Sequence, residues 1–384
     1  MISLSRQEIV QTTKYVVVKV GTNVLTTRDG LLNRERIRRL VQEICAIRRR
    51  GIQVVLVSSG AVGAGMGRLG LSKRPKWSSD LQAVAAIGQG ALIQCYEQEL
   101  DVNGALAAQV LLTAGDLSSR SRYLNACNTF YSLFHFGALP IVNENDVVSS
   151  SELSLTFGDN DRLASLVANL FPESLLILLT DVDGLYDGDP ALPGSKLVPV
   201  VDVWTPQLMQ MVAEKRSSRS KGGMSSKLRA AQTVTSVGGS MIIANGDDPN
   251  VLTKIFNAEE CGTVFFPTRR LPAKERWFRF ASQPKGVLVV DDGAVEALEK
   301  QGKSLLPIGV LNVLGSFKKG DVVSIVDREN REIARGLVNY SSKEATLIFK
   351  KRSSEIPEAL GAEDLPYAEL VHRNNIQLGS ASAL

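Results

Sequence analysis

The sequence predicts an α/β protein with a doubly wound, mainly parallel sheet, followed by a small, mostly β domain. Three observations indicate this fold class. Between residues 15 and 245, short segments are almost entirely apolar and rich in β-branched residues. Amphipathic segments alternate with these apolar ones. Near residue 265 the alternation stops, and the composition becomes basic with several prolines. Nearly continuous apolar segments are typical of parallel strands buried on both faces, and their alternation with helices is typical of α/β sheets.

The candidate strands of the larger domain are residues 15–20, 53–57, 105–111, 138–142, 175–179 and 240–244. Between the first two, residues 33–50 carry apolar side chains at helical spacing. Asn33 is the candidate N-cap of this helix, and Gly51 is its candidate C′ residue. Strand, helix and strand form a βαβ unit, whose repetition predicts the doubly wound sheet.

The change in amino-acid composition near residue 265 divides the chain into four predicted segments. We predict a first domain at residues 1–265, a proline-containing basic linker at 266–277, a second domain at 278–373 and a tail at 374–384. The second domain has candidate strands at 286–290, 321–326 and 332–338 and a candidate helix at 293–300. Short strands separated by turns predict a mostly β fold for this domain.

Composition excludes several classes of protein. The net charge of +4 over 384 residues is too small to indicate a nucleic-acid-binding protein by itself. Four scattered cysteines and two histidines give no zinc-binding spacing and no catalytic triad. There is no signal-peptide pattern and no apolar run of about 18 residues, the length that spans a bilayer. We therefore expect a cytoplasmic protein with no membrane contact.

Polar residues follow the ends of several candidate strands. Lys19 and Gly21 close the first strand, where a cation and exposed backbone N–H groups suit phosphate oxygens. Ser58 and Ser59 close the second strand, just before a glycine-rich helix start. Ligands of such sheets bind at the carboxyl ends of the strands, which predicts a site there. Each segment has an alternative interpretation without a ligand. Lys19 would then be a solvated lysine beside a turn glycine, and the glycines after Ser59 would only form a turn.

A second lysine belongs to a glycine-containing segment near residue 225. The segment is Ser220, Lys221, Gly222, Gly223, Met224, Ser225, Ser226 and Lys227, and an apolar-periodic helix follows it. Glycines, hydroxyl groups and a lysine one turn into a helix resemble a phosphate cradle. Lys227 and Lys19 could together clamp a transferring phosphoryl group, although a flexible surface loop would carry the same residues.

Two acidic-amide clusters are the third candidate, at residues 143–146 and 158–161. Asp146 could hold an ammonium group, and Asn160 and Ser59 could hold carboxylate or amide groups of a small substrate. Asp159 or Asp161 could bind Mg²⁺ or orient the lysines. Helix capping is the alternative, but it accounts for only one such residue.

Taken together, the motifs resemble those of the glutamate 5-kinase family, which combines the amino-acid kinase fold with a C-terminal PUA domain. The resemblance runs from residue 14 to about residue 373. It is carried by Val18-Lys19-Val20-Gly21-Thr22, Val57-Ser58-Ser59-Gly60-Ala61, Asn143-Glu144-Asn145-Asp146, Phe157-Gly158-Asp159-Asn160-Asp161 and Gly222-Gly223-Met224-Ser225-Ser226-Lys227. The two acidic-amide clusters with a PUA-like region are the most specific part, because the other segments occur widely in amino-acid kinases.

Carried over by position, the resemblance implies a role for each candidate residue. The glutamate site would be Ser59, Asp146 and Asn160. The nucleotide site would be Lys19, Gly21, Thr180, Asp181, Lys221, Gly222, Gly223, Met224, Ser225, Ser226 and Lys227. Lys19 and Lys227 would be the catalytic lysines, with Asp161 organising them. Ser220-Lys221-Gly222-Gly223-Met224 departs from the Gly-Thr-Gly-Gly-Met that is common in the family.

The implied reaction is phosphorylation of the side-chain carboxylate of L-glutamate by ATP and Mg²⁺, the first step of proline biosynthesis. The resemblance further implies a homo-oligomer, feedback inhibition by proline, and hand-over of the labile product to a glutamyl phosphate reductase. Two alternatives stay open at this point. One is another enzyme of the same fold, acting on aspartate, acetylglutamate, uridylate or carbamate. The other is RNA binding through the PUA-like domain, for which the region lacks a dense basic stripe.

Overall fold

The structure is a computed structural model. It describes residues 5–27, 31–148, 160–190, 192, 194–208, 223–267, 284–361 and 367–378. The chain divides into two compact units, one made of residues 1–117 and 121–273 and the other of 118–120 and 274–384. Each unit is built on its own sheet.

An eight-stranded sheet organises the larger unit. Its strands are β1 (Tyr15–Val20), β2 (Gln53–Ser58), β3 (Leu106–Leu112), β4 (Ala138–Glu144), β5 (Leu175–Thr180), β6 (Val200–Val201), β7 (Ser240–Asn245) and β8 (Thr263–Phe265). Their order is β3-β4-β2-β1-β5-β7-β8-β6. Each neighbouring pair is parallel except β7 and β8, which run antiparallel. The predicted doubly wound, mainly parallel sheet is therefore confirmed.

The helices of this unit alternate with its strands. They are α1 (Arg6–Thr12), α2 (Thr22–Leu25), α3 (Arg34–Arg49), α4 (Ala61–Leu69), α5 (Ser78–Val102), α6 (Ala114–Ser118), α7 (Arg120–His135), α8 (Asn160–Ala168), α9 (Met224–Thr235) and α10 (Val251–Phe256). Helix α3 begins as predicted, because the Asn33 side chain accepts a hydrogen bond from the Arg36 N–H at 3.2 Å.

Strand β1 lies at the point where the chain order of the sheet reverses. It pairs with β2 on one side and with β5 on the other, so that Lys19 lies beside Val57 and Leu178. The crevice beyond the carboxyl ends of the strands at such a point is the usual ligand site of this class of sheet. The polar strand ends predicted from the sequence therefore converge on one rim of this unit.

Two glycines bring α4 and α5 into close contact. A Cβ atom on Gly65 would lie 1.9 Å from the Val84 carbonyl oxygen, and one on Gly88 would lie 1.8 Å from the Ala61 carbonyl oxygen. Both distances are far below van der Waals contact, so only glycine fits at either position. Gly65 therefore serves the packing of these two helices.

The smaller unit contains a five-stranded sheet with its own apolar core. Its strands are β9 (Gly286–Val290), β10 (Val310–Gly315), β11 (Val322–Val326), β12 (Glu332–Leu337) and β13 (Ile376–Leu378), in the order β10-β9-β11-β12-β13. Its helices are α11 (Asp292–Glu299), α12 (Ser342–Ile348) and α13 (Ile356–Leu360). Leu288, Val323 and Ile325 are fully buried in its core.

Several features of the sheets were not foreseen. The predicted strands are found with ends that shift by at most two residues, whereas β6, β8, β10 and β13 were missed. Strand β13 pairs with β12 and lies within residues that the sequence analysis assigned to a tail. Most of the predicted linker lies outside the described residues. None of the described helices combines the length and the apolar character that a membrane-spanning helix requires.

Candidate active site

A buried aspartate joins two lysines at the rim of the larger sheet. Asp161 lies in the first turn of α8, Lys19 on β1 and Lys227 one turn into α9. The Lys19 Nζ atom lies 2.7 Å from Asp161 Oδ1, and the Lys227 Nζ atom lies 3.1 Å from Asp161 Oδ2. The three side chains expose only 8%, 9% and 1% of their surface, in the order Lys19, Lys227, Asp161. The structure therefore brings together three residues that are far apart in the sequence.

The charge state of this cluster follows from its geometry. Burial would raise the pKa of Asp161, but the two ammonium groups outweigh burial and hold that pKa below its usual value. Asp161 is thus an ionised carboxylate with one lysine on each oxygen. The two ammonium groups that it holds in place are suited to phosphate oxygens.

Asn160, the neighbour of Asp161, connects three elements of the sheet. Its Nδ2 group lies 3.2 Å from the Ser58 carbonyl oxygen, 3.0 Å from Ser59 Oγ and 2.9 Å from Asn143 Oδ1. The start of α8 is thereby fixed to the ends of β2 and β4. The Asn160 Oδ1 atom is buried and has no hydrogen-bond partner among the described residues, so it can accept a bond from a ligand.

Two residues that the sequence analysis missed support this network from α5. The Gln89 Oε1 atom accepts a hydrogen bond from Asn143 Nδ2 at 2.8 Å. The fully buried Tyr96 hydroxyl group lies 2.9 Å from Ser58 Oγ. On a helix these residues look like ordinary polar and aromatic positions, so no sequence signal distinguished them. They orient groups that line the site.

An open pocket lies beside Asn160. It is lined by Thr22, Ser59, Gly60, Ala61, Val62, Gly63, Arg74, Asn143, Glu144, Asp146 and Asn160. Of the residues predicted to bind substrate, Ser59, Asp146 and Asn160 all lie here. Arg74 was not predicted, because nothing in the sequence shows that the loop between α4 and α5 reaches the pocket.

One wall of the pocket is the N-terminal end of α4. Gly60, its N-cap, has a φ of +106° and provides no side-chain cap. The first backbone N–H groups of an α-helix have no partner inside the helix, so those of α4 are available to an anion. Gly60 is required here because a left-handed backbone strains other residues.

The carboxylate of Asp146 is perturbed by its place in this pocket. Burial raises its pKa to about 6, and the charge of Arg74 opposes that rise. Burial also lowers the pKa of the Arg74 guanidinium, with Asp146 acting against it. The charges of the two groups therefore act on each other within the pocket, although Arg74 as a whole residue is solvent-exposed. An ionised Asp146 suits a ligand ammonium group.

The predicted nucleotide residues lie on the other side of the lysines. Thr180 ends β5, and Asp181 follows it. Asp181 accepts a hydrogen bond from Asn23 at 2.8 Å, which with a bond from Thr180 holds its pKa below the usual value despite partial burial. Lys227 also contributes to that lowering, so Asp181 lies within reach of the lysine cluster.

Helix α9 presents its N-terminal end in the same region. Gly223 is its N-cap and provides no side-chain cap, and Met224, Ser225 and Ser226 form its first turn. Gly21, at the end of β1, lies close to Lys19: a Cβ atom there would be 3.7 Å from Lys19 Nζ. Lys221 and Gly222, also predicted to bind nucleotide, lie outside the described residues.

The described residues do not form a dedicated metal site. They contain no group of three or more His, Cys, Asp or Glu side chains placed to hold a metal ion. Both oxygens of Asp161 face lysine ammonium groups, which makes this carboxylate a poor cation ligand. Asp159, the other candidate, lies outside the described part of the chain.

Comparison with known proteins shows the family of this chain. The model of the amino acid kinase family matches residues 14–254, and that of the PUA domain matches residues 286–360. The chain belongs to the amino acid kinase family. The family resemblance predicted from the sequence, with its PUA domain, is confirmed.

Curated members of this family match nearly the whole chain. A glutamate 5-kinase of Rhodopirellula baltica is 47% identical over 97% of this chain and 96% of its own length. A glutamate 5-kinase of Thermoanaerobacter sp. is 45% identical over 94% of this chain and 96% of its own length. Among solved structures, carbamate kinase from Giardia lamblia bound to AMP-PNP has a TM-score of 0.45 at 20% identity, covering 67% of this chain and 99% of that one. A similarity as low as the last supports no functional argument.

Proposed function

We propose that this protein transfers the γ-phosphoryl group of ATP to the side-chain carboxylate of L-glutamate, giving L-glutamyl 5-phosphate in the first step of proline biosynthesis. One observation carries the proposal. Adjacent residues at the start of α8 face two different environments, since Asn160 lines a pocket with Asp146 and Asp161 binds Lys19 and Lys227. A small amino acid in that pocket would have one end beside two cations.

The acceptor needs positioning rather than deprotonation. The side-chain carboxylate of glutamate has an ordinary pKa of about 4.3, so it is already an anionic nucleophile at neutral pH. The described residues that line the pocket include no histidine, which fits a reaction without a general base. Asp146 would bind the substrate ammonium group, and Asn160 and Ser59 would fix the position of the reacting carboxylate.

Charge neutralisation is the main task of catalysis here. The nucleophile and the phosphates are both anionic, so bringing them together is opposed by electrostatic repulsion. Lys19 and Lys227 would stabilise the charge on the transferring phosphoryl group. Asp161 would hold the two ammonium groups apart and aligned, because each of its oxygens binds one of them.

ATP would lie along Thr180, Asp181 and the start of α9. An uncapped helix N-terminus beside a lysine suits phosphate oxygens. Mg²⁺ in kinases is held by substrate phosphates and water together with one or two carboxylates, rather than by a cage of protein ligands. We propose that it enters with ATP, since the described carboxylates do not form a site of their own.

A hydroxamate assay tests the proposed reaction. Hydroxylamine traps an acyl phosphate, so only a true acceptor gives ATP-dependent product. We expect signal with L-glutamate and little with L-aspartate or N-acetyl-L-glutamate. Aspartate is one methylene shorter, and acetylation removes the charge that Asp146 would bind. A higher kcat/KM for either competitor, or ADP formation only with carbamate or uridylate, would assign a different reaction.

The wider partners stay predictions. The product is a labile acyl phosphate, which favours direct hand-over to a glutamyl phosphate reductase. Homo-oligomer formation and inhibition by proline are expected from the family resemblance alone. Light scattering on the purified chain, and glutamate kinetics with added proline, would test these two points.

A further inference from the structure

The pocket contains one cation that the reaction scheme above leaves without a role. Among the described residues that line it, Arg74 is the one cationic side chain, while Asp146 and Glu144 are the acidic ones. The charge of Asp146 acts on the Arg74 guanidinium, but the described residues form no salt bridge within 4 Å and no hydrogen bond with it. The N–H donors of a guanidinium beside a ligand pocket are then available to a ligand.

Charge accounting indicates which ligand group Arg74 would meet. Glutamate carries two carboxylates and one ammonium group. The proposed function, on which this inference rests, assigns the ammonium group to Asp146 and the side-chain carboxylate to the region of Lys19 and Lys227. The α-carboxylate is then the one charge without a partner. It is attached to the same carbon atom as the ammonium group, so it must lie close to Asp146.

The position of Arg74 meets that requirement. Arg74 and Asp146 both line the pocket, and the charge of each acts on the other, so the two side chains are near neighbours there. The uncapped N-terminal end of α4 forms the adjacent wall and supplies further N–H donors. Planar guanidinium groups bind carboxylates through two parallel hydrogen bonds, which a lysine cannot reproduce.

The loop that carries Arg74 has features that fix its direction. Gly70, with a φ of +65°, ends α4 and turns the chain, and α5 begins at Ser78. Pro75 follows Arg74 directly and restricts the Arg74 backbone to extended conformations. Helices α4 and α5 are themselves locked together at Gly65 and Gly88. The loop is therefore anchored at both ends next to the pocket.

We propose that Arg74 is a substrate-binding residue that recognises the α-carboxylate of L-glutamate and so, together with Asp146, selects free α-amino acids. Asp146 and Arg74 would form a zwitterion-binding pair at the end of the pocket away from the lysines. The specificity for glutamate would then arise from a fixed distance between this pair and the phosphoryl-transfer cluster.

A substrate that lacks only the α-carboxylate tests this assignment. Compared with L-glutamate, 4-aminobutyrate keeps the amino group and the reacting carboxylate. Kinetics by ADP release, and binding of both compounds by calorimetry, would be measured for the wild-type chain, Arg74→Ala and Arg74→Lys. If 4-aminobutyrate binds but is not phosphorylated, the calorimetric affinities still allow the two compounds to be compared in each variant.

We expect Arg74→Ala to weaken L-glutamate binding and kcat/KM by roughly 10- to 100-fold, the range for losing a charge-assisted hydrogen bond. The affinity and kcat/KM for 4-aminobutyrate should change by less than about threefold, so that the preference of the enzyme for glutamate over 4-aminobutyrate is largely lost. Arg74→Lys should recover part of the loss. Lys73→Ala is the matched control, because it removes an equal charge from the adjacent exposed position and should leave both substrates unaffected.

Each contrary outcome has a distinct meaning. Equal losses for both compounds would show that Arg74 acts only through Asp146 or the fold, and would overturn the assignment. Unchanged glutamate binding in Arg74→Ala would do the same. A wild-type chain with no glutamate-dependent ADP formation would instead overturn the proposed reaction itself, so the two failures are distinguishable.

Discussion

At the scale of single residues, the site depends on how three charges are arranged. Lys19 and Lys227 come from opposite ends of the larger domain and meet on the two oxygens of Asp161. A buried carboxylate with two ammonium partners stabilises both of them and fixes their positions. A phosphoryl group in transfer would meet two ammonium groups that are already in place.

Replacement of Lys227 by alanine should affect the chemical step more than substrate binding. We expect kcat to fall by about 100-fold or more, the cost of removing one electrostatic donor from a transition state. The KM for glutamate should change little, because Lys227 is on the phosphate side of the site. Arg229→Ala, on an exposed position of the same helix, is the control and should behave as wild type. Steady-state kinetics that show an unchanged kcat in Lys227→Ala would remove this lysine from catalysis.

The pKa of Asp146 gives the reaction a defined pH dependence. Because burial raises that pKa to about 6, the carboxylate is ionised above pH 6 and becomes neutral below it. Only the ionised form attracts an ammonium group, so kcat/KM for glutamate should fall toward tenfold per pH unit below 6. The substrate carboxylate titrates near pH 4.3, which leaves the interval from pH 5 to 6 to Asp146.

Asp146→Asn isolates this effect. Its KM for glutamate should be high at every pH, and its kcat/KM should be flat between pH 5 and 7. A variant that keeps the wild-type slope would show that another group titrates. The measurement needs only initial rates across buffers of constant ionic strength.

Sequence reasoning worked at the residue scale where a residue followed a strand end. Lys19, Ser59 and Asp181 could be placed at one edge of the sheet because the carboxyl ends of parallel strands share that edge. Arg74 and Gln89 could not be placed that way. One lies in a loop between helices and the other within a helix, where nothing local distinguishes a ligand-facing side chain from a solvated one.

At the scale of elements, α4 owes its position to contact with α5. The Cβ distances of 1.9 Å at Gly65 and 1.8 Å at Gly88 mean that no other residue allows this approach. Since the N-terminal end of α4 forms a wall of the pocket, the packing of two helices determines the shape of the site.

Gly88→Ala should therefore both destabilise the protein and weaken its binding of glutamate. We expect a loss near the upper end of the roughly 1–3 kcal/mol typical of overpacking, together with a raised KM for glutamate, as α4 moves away. Gly90→Ala is a matched control on the same helix, because a Cβ there meets nothing within 4 Å. It should stabilise by about 0.5–1 kcal/mol through helix propensity. Unfolding of both variants in urea, monitored by circular dichroism, compares their stabilities. Equal unfolding midpoints for Gly88→Ala and Gly90→Ala would contradict the packing argument.

Strands were predictable in proportion to their length and burial. Strands β1 and β5 are nearly or fully buried along their length and read clearly as apolar segments. Strands β6 and β13 have two and three residues, too few for a periodic signal. The burial of strand β10 alternates irregularly, and its pairing register shifts between Val310 and Asn312, so its pattern matched neither a buried nor a half-exposed strand.

At the scale of the whole molecule, the order of the strands was beyond sequence reasoning. The alternation of strands and helices predicts a parallel sheet, but not that β1 lies between β2 and β5 or that β8 runs antiparallel to β7. Such pairings depend on contacts between residues far apart in the chain. From the sequence, the polar strand ends could be placed at one edge of the sheet, which holds for any order of parallel strands. That β1 lies next to β2 and β5, which brings their polar ends together, is seen only in the structure.

The division of the chain into two units predicts that the larger unit can act without the smaller one. Each unit has its own sheet and its own buried core, and every described residue of the candidate site belongs to the larger one. Domains with their own cores can fold independently. We therefore expect a chain ending at residue 273 to fold cooperatively and to keep kcat and both KM values within about threefold of the full chain. Circular dichroism, light scattering and kinetics on both chains, prepared in parallel, provide the comparison. A folded fragment with a kcat/KM at least tenfold lower would assign the PUA-containing unit a direct part in the reaction, because loss of the fold would then no longer explain the loss of activity.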